Sequence, residues 1–341
     1  MHGGINDETL LDFSISVNPF IPQFIQEALE NSIKFQNRYT YVEWAEEDFK
    51  KHFGQDSVIV AGTTEALHIL GWTVMKNATV VIPQPNYTEY ERVASFSAKN
   101  IIKPWTFQQD EDYFAKIDKT IEKEYKQGGK IVLITGNPNN PTGSYTDFSE
   151  FSKYCMRKYG NDVLIIIDES FVDFVQPGRT QSSPPSNTIL LRTFTKILGI
   201  PGVRIGYVRS NLTDLFKKYR MPWAIGGTGY SVVKSVTKNY NEYLDFVIQS
   251  AQYFEKERSK FKKLTKLESK TNYLVIEVKD ADAFQIFAHA NKLHVRVMKD
   301  FGMESCVRIG LRRETENDKM RKVIEEWFSH RGVVGKTVHL H

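Results

Sequence analysis

The chain has 341 residues, of which 41% are hydrophobic and 25% charged, the balance of a globular protein long enough for two domains. Its formal net charge of +4 is a small excess with no long Lys/Arg run, which argues against a nucleic-acid partner. Cys155 and Cys306 stand far apart without CxxC or Cys/His ligand spacing, so neither a disulfide scaffold nor a metal site is expected.

Residues 1–12 lack the basic-then-apolar order of a signal peptide. No apolar run approaches the roughly 18 residues of a membrane span. A cytoplasmic protein with no membrane contact is therefore expected. Short runs at 58–60, 79–82, 130–135, 163–167, 188–191 and 203–208 are apolar throughout, the pattern of strands buried on both faces. Helical patterns at 65–75 and 148–159 lie between them. This alternation predicts an α/β fold with a mostly parallel central sheet sandwiched by helices. A Ser/Pro loop occupies 181–186.

Past residue 230 the texture changes. A charged helical stretch runs over 240–266, a strand over 273–278 and a helix over 281–290. Strands at 294–297 and 306–311 and a last helix at 314–328 follow. This reads as a smaller α+β domain. The division expected is a large domain over 35–235, a small domain from 1–34 with 236–333, and a frayed tail over 334–341.

The residues able to carry chemistry follow the predicted strands. Ala61-Gly62-Thr63-Thr64-Glu65 lies between a strand and a helix, where free N–H groups and the helix dipole suit a phosphate. The same letters also fit a capping box. It is not a Walker A loop, and no GxGxxG follows any strand, which argues against a dinucleotide site. Tyr87, in Pro83-Gln84-Pro85-Asn86-Tyr87, could stack on a flat ring or fill a core. Asn140, in Asn137-Pro138-Asn139-Asn140-Pro141-Thr142-Gly143, sits in a turn fixed by prolines and offers both a donor and an acceptor. Asp168 ends an apolar run, where open α/β sheets bind ligands. There it could pair with a protonated ring nitrogen, or cap the next segment. Lys196 follows Leu191-Arg192-Thr193-Phe194-Thr195 and precedes Gly199 and Arg204. Desolvation and nearby positive charge would make it a usable amine nucleophile.

In this order the segments resemble the fold-type I pyridoxal-phosphate (PLP) enzymes of the aspartate-aminotransferase superfamily, and within them the histidinol-phosphate aminotransferase-like group. The resemblance implies PLP carried by Lys196 as a Schiff base. It further implies Asp168 on the pyridine nitrogen, Asn140 on the ring oxygen and Tyr87 stacked on the ring. The phosphate would meet Gly62, Thr63, Thr64, Thr193, Thr195 and Arg204. Tyr39 is similar to the family tyrosine that reaches a phosphate across a dimer interface, implying a homodimer with shared sites. Arg308 matches the arginine that takes a substrate acid group.

The opening His2-Gly3-Gly4, the segment from Asp12 to Pro19, and Arg220-Met221-Pro222-Trp223 look like the threonine-phosphate decarboxylase branch. His2, Asn18 and Arg296 join Arg308 as implied substrate-binding residues. Phe171 stands where many relatives have a tyrosine, Ser16 where the branch has a second asparagine, and Thr40 where the proline of Arg-Tyr-Pro is familiar. The first expectation is decarboxylation of L-threonine O-3-phosphate to aminopropanol phosphate, a step in cobalamin biosynthesis. The alternative is an aminotransferase passing an amino group to 2-oxoglutarate. A non-catalytic protein on this fold is a third reading, opposed by Lys196, Asp168, Asn140 and Arg204 occurring together.

Overall fold

The structure is a computed structural model that describes residues 3–178 and 183–330; His2, the tail from 331 and part of the Ser/Pro loop lie outside them. In chain order the strands are β1 (Leu11–Asp12), β2 (Ser57–Val60), β3 (Thr79–Val81), β4 (Asn100–Ile102), β5 (Ile131–Gly136) and β6 (Val163–Asp168). They continue with β7 (Thr188–Thr193), β8 (Gly206–Arg209), β9 (Tyr273–Glu277), β10 (Leu293–His294), β11 (Arg296–Val297) and β12 (Cys306–Gly310). Seven form one sheet in the order β2-β8-β7-β6-β5-β3-β4. Strands β4, β3, β5, β6 and β7 pair in parallel, and β8 runs antiparallel to both its neighbours.

The apolar runs of this sheet divide their side chains between two cores, as a strand's period of two requires. Val132, Ile134 and Ile166 face the helix Gly62–Trp72 through its Ala66, Leu67 and Leu70. Ile131, Leu133, Val163, Ile165 and Ile167 face the helices Tyr113–Tyr125 and Ser149–Tyr159, meeting Ile117, Ile121, Phe151 and Cys155. Each fully buried side chain of this kind contributes roughly 1.5–3 kcal/mol, which is why the strands carry no polar alternation. The run expected at 203–208 begins later, at Gly206. Residues 201–204 form the preceding turn, and Arg204 is exposed rather than in a strand. The helix expected over 240–266 stops at Lys260.

The C-terminal part forms an antiparallel sheet β11-β12-β9, while β1 pairs in parallel with β10. One further core joins these elements to the large sheet. It holds Phe13 from the N-terminal segment, Phe49 and Phe53 from the helix Glu43–Phe53, Phe194, and Ile276, Val307, Ile309 and Trp327 from the C-terminal part. Asn18 belongs to this framework. Its amide donates to the carbonyl of Ile197 at 2.9 Å and to Ser250 Oγ at 3.0 Å, and its Oδ1 accepts from the N–H of Phe20 at 3.1 Å. It fixes the N-terminal segment against the turn after Lys196 and does not face the cavity described below, so the implied substrate contact is replaced by a structural one. No helix among the described residues is long and apolar enough to cross a membrane.

Beneath the sheet Arg192 donates to Glu169 at 2.7 Å, both side chains almost fully buried. Asp173 lies close by; burial raises its pKa and the Arg192 charge opposes that rise. Removing the guanidinium leaves buried carboxylate without its counter-charge. Arg192→Met is therefore expected to cost about 3–5 kcal/mol, and the double substitution with Glu169→Leu to recover a large part of it. Urea unfolding midpoints check this, and a single substitution indistinguishable from the parent would show that the pair is not holding the fold.

Candidate active site

A cavity of about 290 Å³ opens where β5, β6 and β7 end, closed on its other side by residues 14–17 and by Arg308 of β12. A larger groove of about 940 Å³ lies between the helices Gln23–Glu30, Glu43–Phe53 and Gly227–Lys238. It carries scattered lysines and acids but none of the converging groups described next. Chemistry, not size, selects the smaller cavity.

Asp168 is the last residue of β6 and is 6% exposed. Its Oδ1 accepts from the N–H of Ser170 at 2.9 Å and from Ser170 Oγ at 2.5 Å, and its Oδ2 accepts from Tyr90 OH at 3.0 Å. Burial raises its pKa, against the pull of these hydrogen bonds. Among the described residues no cation forms an ion pair with it. Tyr90 and Ser170 were not singled out from sequence. The signal for Tyr90 was its place three residues after Tyr87, one helical turn away; Ser170 showed only as a hydroxyl two residues after the carboxylate.

Lys196 leaves the turn after β7 and reaches the same cavity. Its pKa is pushed down to about 8, first by burial and then by the positive charges of Arg308 and Arg204. Its ammonium lies 5.9 Å from the ring centroid of Phe171. Tyr87 also lines the cavity, its ring edge-on to Tyr90 at 5.5 Å between centroids. Burial raises the Tyr87 phenol to about 12, so it stays protonated.

Opposite Asp168 the helix Gly62–Trp72 presents its N-terminus. Thr63 and Thr64 line the cavity there with Thr193, Thr195 and Arg204. Only half of the capping box is made: the N–H of Ala61 donates to Glu65 Oε2 at 2.7 Å, while Ala61 at the N-cap has no side chain to cap the helix in return. Gly62 has φ +77°, and a Cβ on it would come within 2.8 Å of Arg204 Nη2. Glycine is thus required twice over, by backbone conformation and by the closely placed guanidinium. Among the described residues Arg204 has no carboxylate partner. It touches Thr64 Oγ1 at 3.5 Å and the Pro201 carbonyl at 3.4 Å. A helix start with two hydroxyls and an uncompensated guanidinium is a phosphate cradle.

Arg308 closes the far side. Its Nη1 donates to Asn140 Oδ1 at 2.5 Å and its Nη2 to the Ser14 carbonyl at 3.2 Å, and the guanidinium sits 5.2 Å from the Tyr273 ring centroid. Burial lowers its pKa to about 10. No carboxylate pairs with it among the described residues, so it stands as a buried receptor for an anion.

Two implied site residues and one residue of the Arg220–Trp223 motif do not line the cavity. Tyr39 is 69% exposed and packs on Trp223 with centroids 4.6 Å apart, away from this chain's cavity. Arg296 spends its guanidinium on Asp300 and on the Val297 carbonyl, the second at 2.6 Å. Arg220, flanking the Met-Pro-Trp motif, is committed to Glu43, to Glu46 and to the Ile59 carbonyl. His2 lies outside the described residues, although Gly3 reaches the cavity wall.

The groups present fit PLP. Asp168, a buried acid lacking a cation, suits a protonated ring nitrogen; Asn140 and Tyr87 flank the space between; Thr63, Thr64 and Arg204 suit the phosphate; Lys196 is a buried amine of lowered pKa. No group of three or more potential metal ligands occurs among the described residues.

Comparison with known proteins agrees. A family model described as aminotransferase class I and II matches residues 9–326. The histidinol-phosphate aminotransferase of Thermoanaerobacter pseudethanolicus is 25% identical over 325 residues, covering 90% of each chain. The structure of histidinol-phosphate aminotransferase from Sinorhizobium meliloti in complex with pyridoxal-5'-phosphate superposes with a TM-score of 0.78 at 17% identity, covering 93% of this chain and 90% of that one. That of L-threonine-O-3-phosphate decarboxylase from Porphyromonas gingivalis gives 0.74 at 18% identity, covering 93% and 99%. At these identities the structural likeness is one of fold. The match over nearly the whole length, with this cavity at the strand ends, means that the chain belongs to the class I and II aminotransferases, a family of PLP-dependent enzymes.

Proposed function

We propose that the protein transfers an amino group between a phosphorylated amine of the histidinol-phosphate type and a 2-oxo acid such as 2-oxoglutarate. The observation that carries this reading is the placement of Lys196, Asp168 and the uncompensated Arg308 around one cavity. The curated relatives, named as histidinol-phosphate aminotransferases, support it over decarboxylation and reverse the order in which sequence ranked the two. Bound in the cavity, PLP supplies an electron sink for the substrate's α-carbon. Asp168 keeps the ring nitrogen protonated. Lys196 would hold the cofactor through its buried amine and would serve as the base that moves the α-proton. Arg308 would hold the substrate's anionic group and so orient the α-carbon in the cavity.

Decarboxylation of L-threonine O-3-phosphate is the second reading. One observation favours it: among the described residues, Arg308 is the single cavity cation beyond Lys196 and Arg204. If it grips a phosphate, an α-carboxylate has no further cavity cation to hold it among the described residues. Incubation with L-histidinol phosphate and 2-oxoglutarate, read as glutamate formed, tests the first reading. L-threonine O-3-phosphate without an oxo acid, read as carbon dioxide, tests the second. Carbon dioxide release without glutamate formation would overturn the amino-transfer reading.

Tyr39, Tyr41, Trp44, Met221 and Trp223 are all exposed, and the aromatic members touch one another. Monomeric proteins seldom leave such a patch bare. A second copy of the chain is the proposed cover, and a monomer in sedimentation at micromolar concentration would contradict it.

Lys196→Ala is expected to lower turnover by on the order of 10²–10⁴-fold, the contribution of a positioned general base. Parent-like steady-state rates in this variant would remove Lys196 from the chemistry.

The lowered pKa of Lys196 predicts a pH profile in the cofactor-free protein. An amine attacks only when neutral. Labelling of Lys196 by an amine-reactive reagent, followed on its peptide by mass spectrometry, should rise with pH and level off above about 8. Arg308 is one of the charges that hold the pKa down. Arg308→Met should therefore move the rise to higher pH; an unmoved profile would show that its charge does not reach Lys196.

A further inference from the structure

Two polar atoms at the cavity have no hydrogen-bond partner among the described residues: Arg308 Nε and Ser16 Oγ. Both residues line the cavity, and Ser16 is 4% exposed. A buried donor left without an acceptor is costly to the fold. Such a pair is retained when a ligand satisfies it.

The backbone places the two together. Arg308 and Gly310 are two apart on β12 and so share a face. Residues 14–16 run alongside them. Arg308 Nη2 holds the Ser14 carbonyl, and the N–H of Gly310 donates to the Phe13 carbonyl at 2.7 Å. A Cβ on Gly310 would lie 1.8 Å from the Ile15 carbonyl oxygen and 3.3 Å from Ser16 Cα. This close approach is possible only with glycine, and it holds Ser16 on the same side of the cavity as the guanidinium.

We propose that the Ser16 hydroxyl is a specificity-determining donor that, with Arg308, selects a substrate ending in a phosphate over one ending in a carboxylate. This rests on the reading of the cavity as the substrate site and names the substrate class within it. The edge of a guanidinium presents two donors side by side, which pair with the two coplanar oxygens of a carboxylate. A phosphate monoester has a third free oxygen and up to two negative charges. Ser16 Oγ supplies a further donor for that third oxygen, which a carboxylate paired with the same guanidinium edge does not have. One anchor of this kind suits an amino alcohol phosphate, an amine and a phosphate two carbons apart with no second acid.

The test uses the PLP-loaded protein and two minimal probes. O-phosphoethanolamine carries an amine and a phosphate; β-alanine carries an amine and a carboxylate at the same carbon spacing. Dissociation constants come from titration calorimetry, so no turnover is needed. In Ser16→Ala the constant for O-phosphoethanolamine is expected to rise about tenfold, the scale of one hydrogen bond to a charged group, with β-alanine changed less than about twofold. Because the hydroxyl has no partner among the described residues, the melting temperature of ligand-free Ser16→Ala should stay level or rise.

An equal change for both probes, no change for either, or no binding of O-phosphoethanolamine by the parent would overturn the proposal. So would a melting temperature several degrees lower, since that would give the hydroxyl a structural partner. Failure of amino transfer to 2-oxoglutarate with the phosphate selectivity intact would sink the aminotransferase reading and leave this one standing.

Discussion

A carboxylate at the buried end of a parallel strand has to be met by donors or become neutral, and the site is arranged around meeting it. Asp168 receives Ser170 from its own chain direction and Tyr90 from across β5. Tyr90 can reach it because β5 ends in Gly136, the register partner of Asp168, where a Cβ would stand 3.2 Å from the Tyr90 hydroxyl. The three neutral donors orient the carboxylate without neutralising it. They leave it, with its pKa raised by burial, in need of a cation from outside the chain. That need, more than any single contact, sets what the cavity can hold.

The remaining charge is of the opposite sign. Lys196, Arg204 and Arg308 surround the space, and two of them act on the third. Their repulsion, added to burial, brings the amine close to neutrality at ordinary pH. The same three groups divide the work among them. Arg204 lies in the turn before β8, against the glycine loop, and Arg308 on β12, so each can hold one anion. Neither arginine has a carboxylate partner among the described residues. This distinguishes them from Arg192, Arg209 and Arg220, which are paired with acids and serve the fold.

The part of this legible in sequence is the part fixed by local pattern. Continuous apolar runs mark strands that bury both faces, and a chemistry-bearing residue directly after such a run is at a strand end by construction. Lys196, Asp168, Asn140, Tyr87 and the Gly62 loop were readable for that reason, and the structure brings them to one cavity. What was not readable depends on partners far along the chain. Asn18 looks like a ligand-facing residue until Ile197 and Ser250, 179 and 232 residues away, take its amide. Arg296 is diverted by Asp300, four residues on. The turn at 201–204 delays β8 because Arg204 must face the glycine loop instead of pairing in the sheet.

The features that ranked one substrate above the other were of a different kind from those that identified the cofactor. Arg220 and Trp223 are not in the cavity: one is bound to Glu43 and Glu46, and the other lies under the exposed Tyr39. Among the described residues their partners are other residues of the fold, not groups lining the cavity. The substrate is distinguished instead by the few groups the fold leaves unsatisfied. A folded chain pairs nearly all of its buried polar atoms. Those it leaves unpaired beside a cavity are therefore more informative about the ligand than any motif that is complete within the protein. Here they sit on the short segment at 14–17 and on β12, locked together through Gly310. A change of substrate within this family can then arise from a single side chain on that segment, with the sheet, the lysine and the carboxylate left as they are.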